Sequence, residues 1–234
     1  MIRPDGLALD GLQPPRAILF DWDNTLVDTW SVIHAALEPT FEAMGMTPWT
    51  LEECRQRVRG SARDEFPKLF GERTAEATRL FYERFEATHL ELLRALPGAE
   101  ELLAGLAAQG LYLGIVSNKR GVTLRKEAAH IGWDRHFRKL VGATDAPRDK
   151  PAPDPVYLAL GMHGPPPLGE VWFVGDTDVD MLCAVRAGCV PVLLREEAPG
   201  PGEFLDCRPR LHLGNCLALG ELLVGEAKPS LKSA

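Results

Sequence analysis

Short uninterrupted apolar runs punctuate the chain, and each stops at polar residues. Ala17-Ile18-Leu19-Phe20 ends at Asp21, Leu111-Tyr112-Leu113-Gly114-Ile115-Val116 at Ser117-Asn118, Val171-Trp172-Phe173-Val174 at Gly175-Asp176, and Val190-Pro191-Val192-Leu193-Leu194 at Arg195. Such runs, apolar without alternation, are the pattern of strands buried on both faces. Lys139-Leu140-Val141-Gly142-Ala143 is a weaker fifth run before a turn-rich stretch. Between them lie helix-like segments, Glu100 to Gln109, Val122 to Ile131, Pro155 to Leu160 and Val179 to Ala187. Strands alternating with helices predict an α/β fold with a parallel sheet covered on both sides.

The alternation breaks between Trp30 and Leu96, where successive amphipathic helices are expected and no strand is evident. Phe81, Phe85, Thr88 and Leu92 share one helical face by their spacing, and core packing is the expectation for that stripe. Arg57-Val58-Arg59-Gly60-Ser61-Ala62-Arg63 is cationic and contains glycine. It suits either an anionic ligand, with Arg59, Gly60 and Arg63 as its contacts, or an ordinary solvated face. After the last long run, a strand is expected at Leu211-His212-Leu213 and a helix near Leu217 to Val224. The expected division is an α/β core over 17–29 and 97–225, a helical insert over 30–96, and loose termini over 1–16 and 226–234.

Composition narrows the partners. The 234 residues carry 26 Lys+Arg against 33 Asp+Glu, a net charge of −7, without any basic cluster that would track a nucleic-acid backbone. No window reaches membrane-spanning length and the N-terminal stretch lacks a signal-peptide core, so a cytoplasmic protein without a membrane or nucleic-acid partner is expected. The oligomeric state is not readable. Five cysteines form no C-x-x-C pair and six histidines no zinc-type spacing, so reduced, buried thiols are expected and any metal must be held by carboxylates.

Ligands of an open parallel sheet bind beyond the carboxyl ends of its strands. Asp21, Asp23, Ser117, Asn118, Asp176, Asp178 and Asp180 all fall there, and Lys150 lies in an intervening loop. Taken singly, each could do no more than cap a helix, and Asp178, at the start of its helix, is assigned that job ahead of metal contact. As a set, several carboxylates in one crevice repel one another unless cations compensate. Mg2+, which prefers oxygen ligands, resolves that conflict, and Lys150 adds a second positive charge.

Asp21-Trp22-Asp23-Asn24-Thr25-Leu26 resembles the D-x-D-x-T-L signature of the haloacid dehalogenase superfamily. Ser117-Asn118 resembles its second motif, Lys150 its third, and Gly175-Asp176-Thr177-Asp178-Val179-Asp180 its G-D-x-x-x-D fourth, in the same order. The loop Lys150-Pro151-Ala152-Pro153-Asp154-Pro155 and the helical insert resemble phosphoglycolate-phosphatase-like members. The resemblance implies a Rossmann-like core with a smaller all-helical cap, Mg2+ as cofactor, and phosphomonoester hydrolysis on a small phosphorylated metabolite such as phosphoglycolate. It implies Asp21 as nucleophile and Asp23 as general acid and base. Thr25, Ser117, Asn118 and Lys150 are the implied phosphate-binding residues, Lys150 also acting in catalysis. Metal ligands would come from Asp21, the carbonyl of Asp23, Asp176 and, further out, Asp180. Asn24, where glycine is common, tolerates the left-handed turn the motif needs.

Rival readings fit less of the sequence. A sugar-nucleotide transferase would leave Lys150 and the fourth motif without roles, a dehalogenase would not need Asp23, and a phosphonate hydrolase would need a lysine in the insert, where only Lys68 stands. A phosphosugar mutase uses the same core residues, and a binding protein that kept the fold remains the non-enzymatic alternative.

Overall fold

The computed structural model describes residues 11–58, 60–161 and 169–225. Arg59 and residues 1–10 and 226–234 of the expected loose termini lie outside them. The main sheet is built from β1 (Ala17–Phe20), β4 (Tyr112–Arg120), β5 (Lys139–Ala143), β6 (Val171–Gly175), β7 (Val190–Leu194) and β8 (Leu211–Leu213). Its order is β5-β4-β1-β6-β7-β8 with every neighbouring pair parallel. Ranked along the chain this is 3-2-1-4-5-6, a doubly wound sheet whose order reverses at β1. The crevice at that reversal lies between the ends of β1, β4 and β6, where Asp21, Ser117 and Asp176 stand.

The central strands are buried on both faces, while the edge strands β5 and β8 are only partly so. Ile18 and Phe20 of β1, with Leu113, Ile115, Trp172 and Val174, point into one hydrophobic cluster, while Leu19, Val116 and Phe173 point into another. Helices α5 (Ala99–Ala108), α6 (Gly121–His130) and α9 (Cys216–Leu223) contribute to the first cluster, and α7 (Asp154–Leu160) and α8 (Asp178–Ala187) to the second. All five cysteines are free and buried, as expected. Among the described residues no helix is long and apolar enough to cross a membrane.

Residues 30–92 fold as α1 (Trp30–Ala43), α2 (Leu51–Arg57), α3 (Ala62–Phe70) and α4 (Thr74–Leu92), which enclose a hydrophobic cluster of their own around Phe41, Phe66, Phe70, Phe81 and Phe85. A capping box at Thr50 and Glu53 starts α2, and the Ser61 side chain caps α3. Two short strands frame the block, β2 (Val27–Asp28) antiparallel to β3 (Arg94–Ala95). No strand is expected in this region from sequence, because two residues leave no hydrophobic pattern.

The aromatic stripe of α4 packs in the core as expected at Phe81 and Phe85, but the line does not continue through Thr88 and Leu92. Its buried line is Ala77, Phe81, Phe85 and His89, at intervals of four, while Leu92 is exposed. The polar His89 stays on the buried face because it has a buried partner.

Candidate active site

Asp21 follows β1 directly, its backbone N–H donating to the Val174 carbonyl of β6 at 2.8 Å, which fixes the carboxylate over the switch point. The chain then turns sharply. Asn24 adopts φ +62°, as the sequence expectation required, and its side chain accepts from the Thr29 N–H at 3.2 Å. Thr25, buried in that turn, places its hydroxyl 3.4 Å from Asp21 Oδ2 and 3.3 Å from Asp176 Oδ1.

Lys150 is the centre of charge. Its buried Nζ donates to Asp21 Oδ1 at 2.5 Å and to Asp180 Oδ1 at 2.7 Å. The loop that carries it is held by Asn118, whose Oδ1 accepts from the Lys150 N–H at 3.0 Å and whose Nδ2 donates to the Lys150 carbonyl at 3.1 Å. The side chain of Asn118 is therefore a clamp on Lys150. Gly175 makes room for the other partner, since a Cβ there would lie 2.4 Å from Cβ and Cγ of Asp180.

The start of α8 differs from the sequence expectation. Thr177, not Asp178, is the N-cap, and it forms a capping box with Asp180, whose Oδ2 accepts from the Thr177 N–H at 3.0 Å and hydroxyl at 2.6 Å. Asp178 is the first helical residue. The G-D-x-x-x-D pattern thus gives Asp180 two jobs, one oxygen ending in the cap and the other on Lys150.

Carboxylate oxygens of Asp21, Asp176 and Asp180 can lie within 4.8 Å of one another. Burial pushes Asp21 up to about 7 against the pull of Lys150, with the Asp180 and Asp23 charges adding to the rise. Asp176 is raised well above the usual carboxylate range by burial and by the charges of Asp180 and Asp21. With all three ionised, the carboxylates beside one buried ammonium leave an excess of two negative charges. An all-oxygen donor set with that excess fits a hard divalent cation.

A second buried network flanks the first and was not evident from the sequence. Glu127 on α6 is fully buried and accepts from Trp22 Nε1 at 2.7 Å, from Lys119 Nζ at 2.6 Å, and, with His89 as donor, from Nδ1 at 2.8 Å. Lys119 Nζ also lies 2.7 Å from Asp23 Oδ1, an ion pair in which that oxygen accepts no aligned hydrogen bond. Burial would raise Glu127, but the His89 and Lys119 bonds hold it below the ordinary range. Burial would lower Lys119, but the charges of Asp23 and Glu127 hold it high. The only sequence signal for this network is the place of Lys119, immediately after Ser117-Asn118.

The cationic loop of the helical block is split between two roles. Arg57 ion-pairs with Glu53 at 3.1 Å, stacks over Trp49 and lines the cavity, as does Gly60. Arg63 pairs instead with the buried Asp149 at 2.7 Å, joining α3 to the loop beside Lys150. A cavity of about 390 Å³ extends from Asp21, Asp23, Ser117, Asn118, Lys150, Asp176 and Asp180 to the walls of α1, α3 and α4.

An open doubly wound sheet with a carboxylate-and-lysine pocket at its switch point places the protein among Rossmann-like α/β enzymes. Its sequence narrows that class: the chain belongs to the haloacid dehalogenase-like hydrolase family, whose sequence model matches residues 18–193. It is 32% identical over 240 aligned positions to a Pseudomonas fluorescens protein named phosphoglycolate phosphatase, covering 92% of this chain and 85% of that one. It is 30% identical over 185 positions to the N-acetylmuramic acid 6-phosphate phosphatase of Pseudomonas aeruginosa, covering 77% and 81%. A crystallographic neighbour, a haloacid dehalogenase superfamily hydrolase from Ehrlichia chaffeensis, superposes with TM-score 0.60 at 28% identity, covering 91% of this chain and 98% of the other.

Proposed function

We propose that the protein is a Mg2+-dependent phosphomonoester hydrolase that acts in the cytoplasm on a small phosphorylated metabolite through an aspartyl-phosphate on Asp21. The observation that carries this reading is the buried triad in which Lys150 bridges Asp21 and Asp180 at 2.5 and 2.7 Å with Asp176 alongside. Such a pocket neutralises a dianion and presents one carboxylate to it. The relatives named as phosphatases of two different phosphate esters support the reaction class.

In the proposed sequence Asp21 attacks phosphorus as the bond from phosphorus to the alcohol oxygen breaks, and Asp23 gives that oxygen its proton. Asp23 then takes a proton from the water that attacks phosphorus, which breaks the acyl-phosphate bond and releases inorganic phosphate. Thr25, Ser117, the backbone at Asn118 and Lys150 orient the phosphoryl oxygens, and Lys150 also offsets charge that develops on them. Asp21, the carbonyl of Asp23 and Asp176 would hold Mg2+, with Asp180 behind them, and the ion supplies further positive charge to the phosphoryl group. Lys119 keeps Asp23 in place, and Asn118 keeps Lys150. Residues 30–96 form the cap over a core of 17–29 and 97–225.

The test is phosphate release from a panel of phosphomonoesters that includes phosphoglycolate, with Mg2+ or chelator, for the native chain and Asp21→Asn. Mg2+-dependent turnover lost in the variant supports the assignment. Silence toward every ester with isomerisation of a phosphosugar assigns the chain to a mutase, and silence in both assays to a binding role.

A further inference from the structure

The half of the cavity beneath the helical block is built differently from the half around Asp21. Its walls include Ile33 and Leu37 of α1, Trp49, Val58, and Phe66 and Leu69 of α3. Leu37 and Phe66 are buried members of the block's cluster, and Ile33, Trp49, Val58 and Leu69 pack against that cluster while staying half-buried. Apolar side chains left partly wet inside a recess favour an apolar occupant, because filling the recess removes their remaining surface from water.

Charge in the same recess points the same way. Arg57 is already committed to Glu53 and Trp49. Arg120, on the opposite wall, lies 3.5 Å from Glu86 and stacks over Tyr82. Glu65 contributes a carboxylate, paired with Lys68 at 2.8 Å and packed on Gly60. Among the described residues, a second anionic group on the substrate would meet that carboxylate, Lys119 already bound to Asp23 and Glu127, and two arginines each beside a carboxylate. The cavity's volume, about 390 Å³, also suits a ligand larger than a two-carbon acid phosphate.

We propose that the alcohol released by this enzyme carries an apolar body of several carbons, which lodges among Ile33, Trp49, Val58 and Leu69 while the phosphoryl group sits on Asp21. The inference rests on the phosphatase reading and specifies its substrate class as aryl or alkyl-bearing phosphomonoesters rather than small carboxylate-bearing ones.

The experiment measures kcat/KM for ethyl, butyl, hexyl and phenyl phosphate and for phosphoglycolate, using the full chain with Mg2+. The expected result is a gain of roughly three- to fourfold per methylene until the recess is full, with hexyl and phenyl phosphate above phosphoglycolate. Non-hydrolysable n-alkylphosphonates should inhibit more tightly with the same dependence on length, and Leu69→Gln should flatten both slopes. A flat or falling series, or a preference for phosphoglycolate over every longer ester, overturns the inference and leaves the phosphatase reading intact. No turnover of any ester, phosphoglycolate included, overturns both.

Discussion

Glu127 shows how much a single buried charge can organise. Three donors from three parts of the chain, Trp22 after β1, His89 on α4 and Lys119 at the end of β4, meet on its carboxylate. Glu127→Gln removes the charge they surround, and breaking a buried ionic network in this way costs about 3–5 kcal/mol, measured by denaturant unfolding at neutral pH. The sign of the pH dependence follows from its lowered pKa. A carboxylate held below its unfolded value contributes stability above that value and loses it as pH falls, so the gap between native and variant should close below about pH 4.5. A gap that persists unchanged in acid would contradict the assignment. Lys119→Met frees Asp23 from its ion pair, and displacement of a proton-transfer group by even about 1 Å should lower kcat by up to about a hundredfold. Stopped-time phosphate assays on the folded variant check this.

At the scale of elements, close approach sets the geometry. Gly175→Ala would force a Cβ to within 2.4 Å of Asp180, moving the start of α8 or the Lys150 bridge. The expected cost is about 1–3 kcal/mol of stability together with a fall in turnover, and a variant equal to the native chain in both would show that the site gives way freely. Strands β1, β4, β6 and β7 were legible because strands buried on both faces write themselves as apolar runs, and the polar residues at their ends marked Asp21, Ser117 and Asp176. The polar end of β4, Ser117 to Arg120, was not legible, because its pairing with β5 is made by the backbone across a register shift. The strand pair β2 and β3 is too short to leave a pattern. On α4 the end of the stripe was misread by one position, since a histidine looks polar in sequence and is buried here only through its bond to Glu127, which lies 38 residues away. Thr177 displaced Asp178 as the cap for a local reason: Asp180, three residues on, completes a capping box that Asp178 cannot.

For the whole molecule the governing fact is an acidic site at the switch point of a sheet in an acidic chain of net charge −7. Asp21 is raised from 3.8 to about 7, so the metal-free folded chain binds more protons than the unfolded one between those values. Its contribution therefore makes folding less favourable as pH rises through that window. Mg2+ favours the deprotonated cluster, and the rise in thermal midpoint on adding it should be larger at about pH 8 than at about pH 5. An equal or larger rise in acid would contradict a carboxylate metal site. The most direct test of the account is rapid quenching of the enzyme during turnover of a labelled phosphomonoester, followed by peptide mapping. A hydroxylamine-labile phosphoryl group is expected on the peptide that contains Asp21, formed and lost at rates compatible with turnover. Steady phosphate release without any such label, or undiminished release by Asp21→Asn, would contradict it.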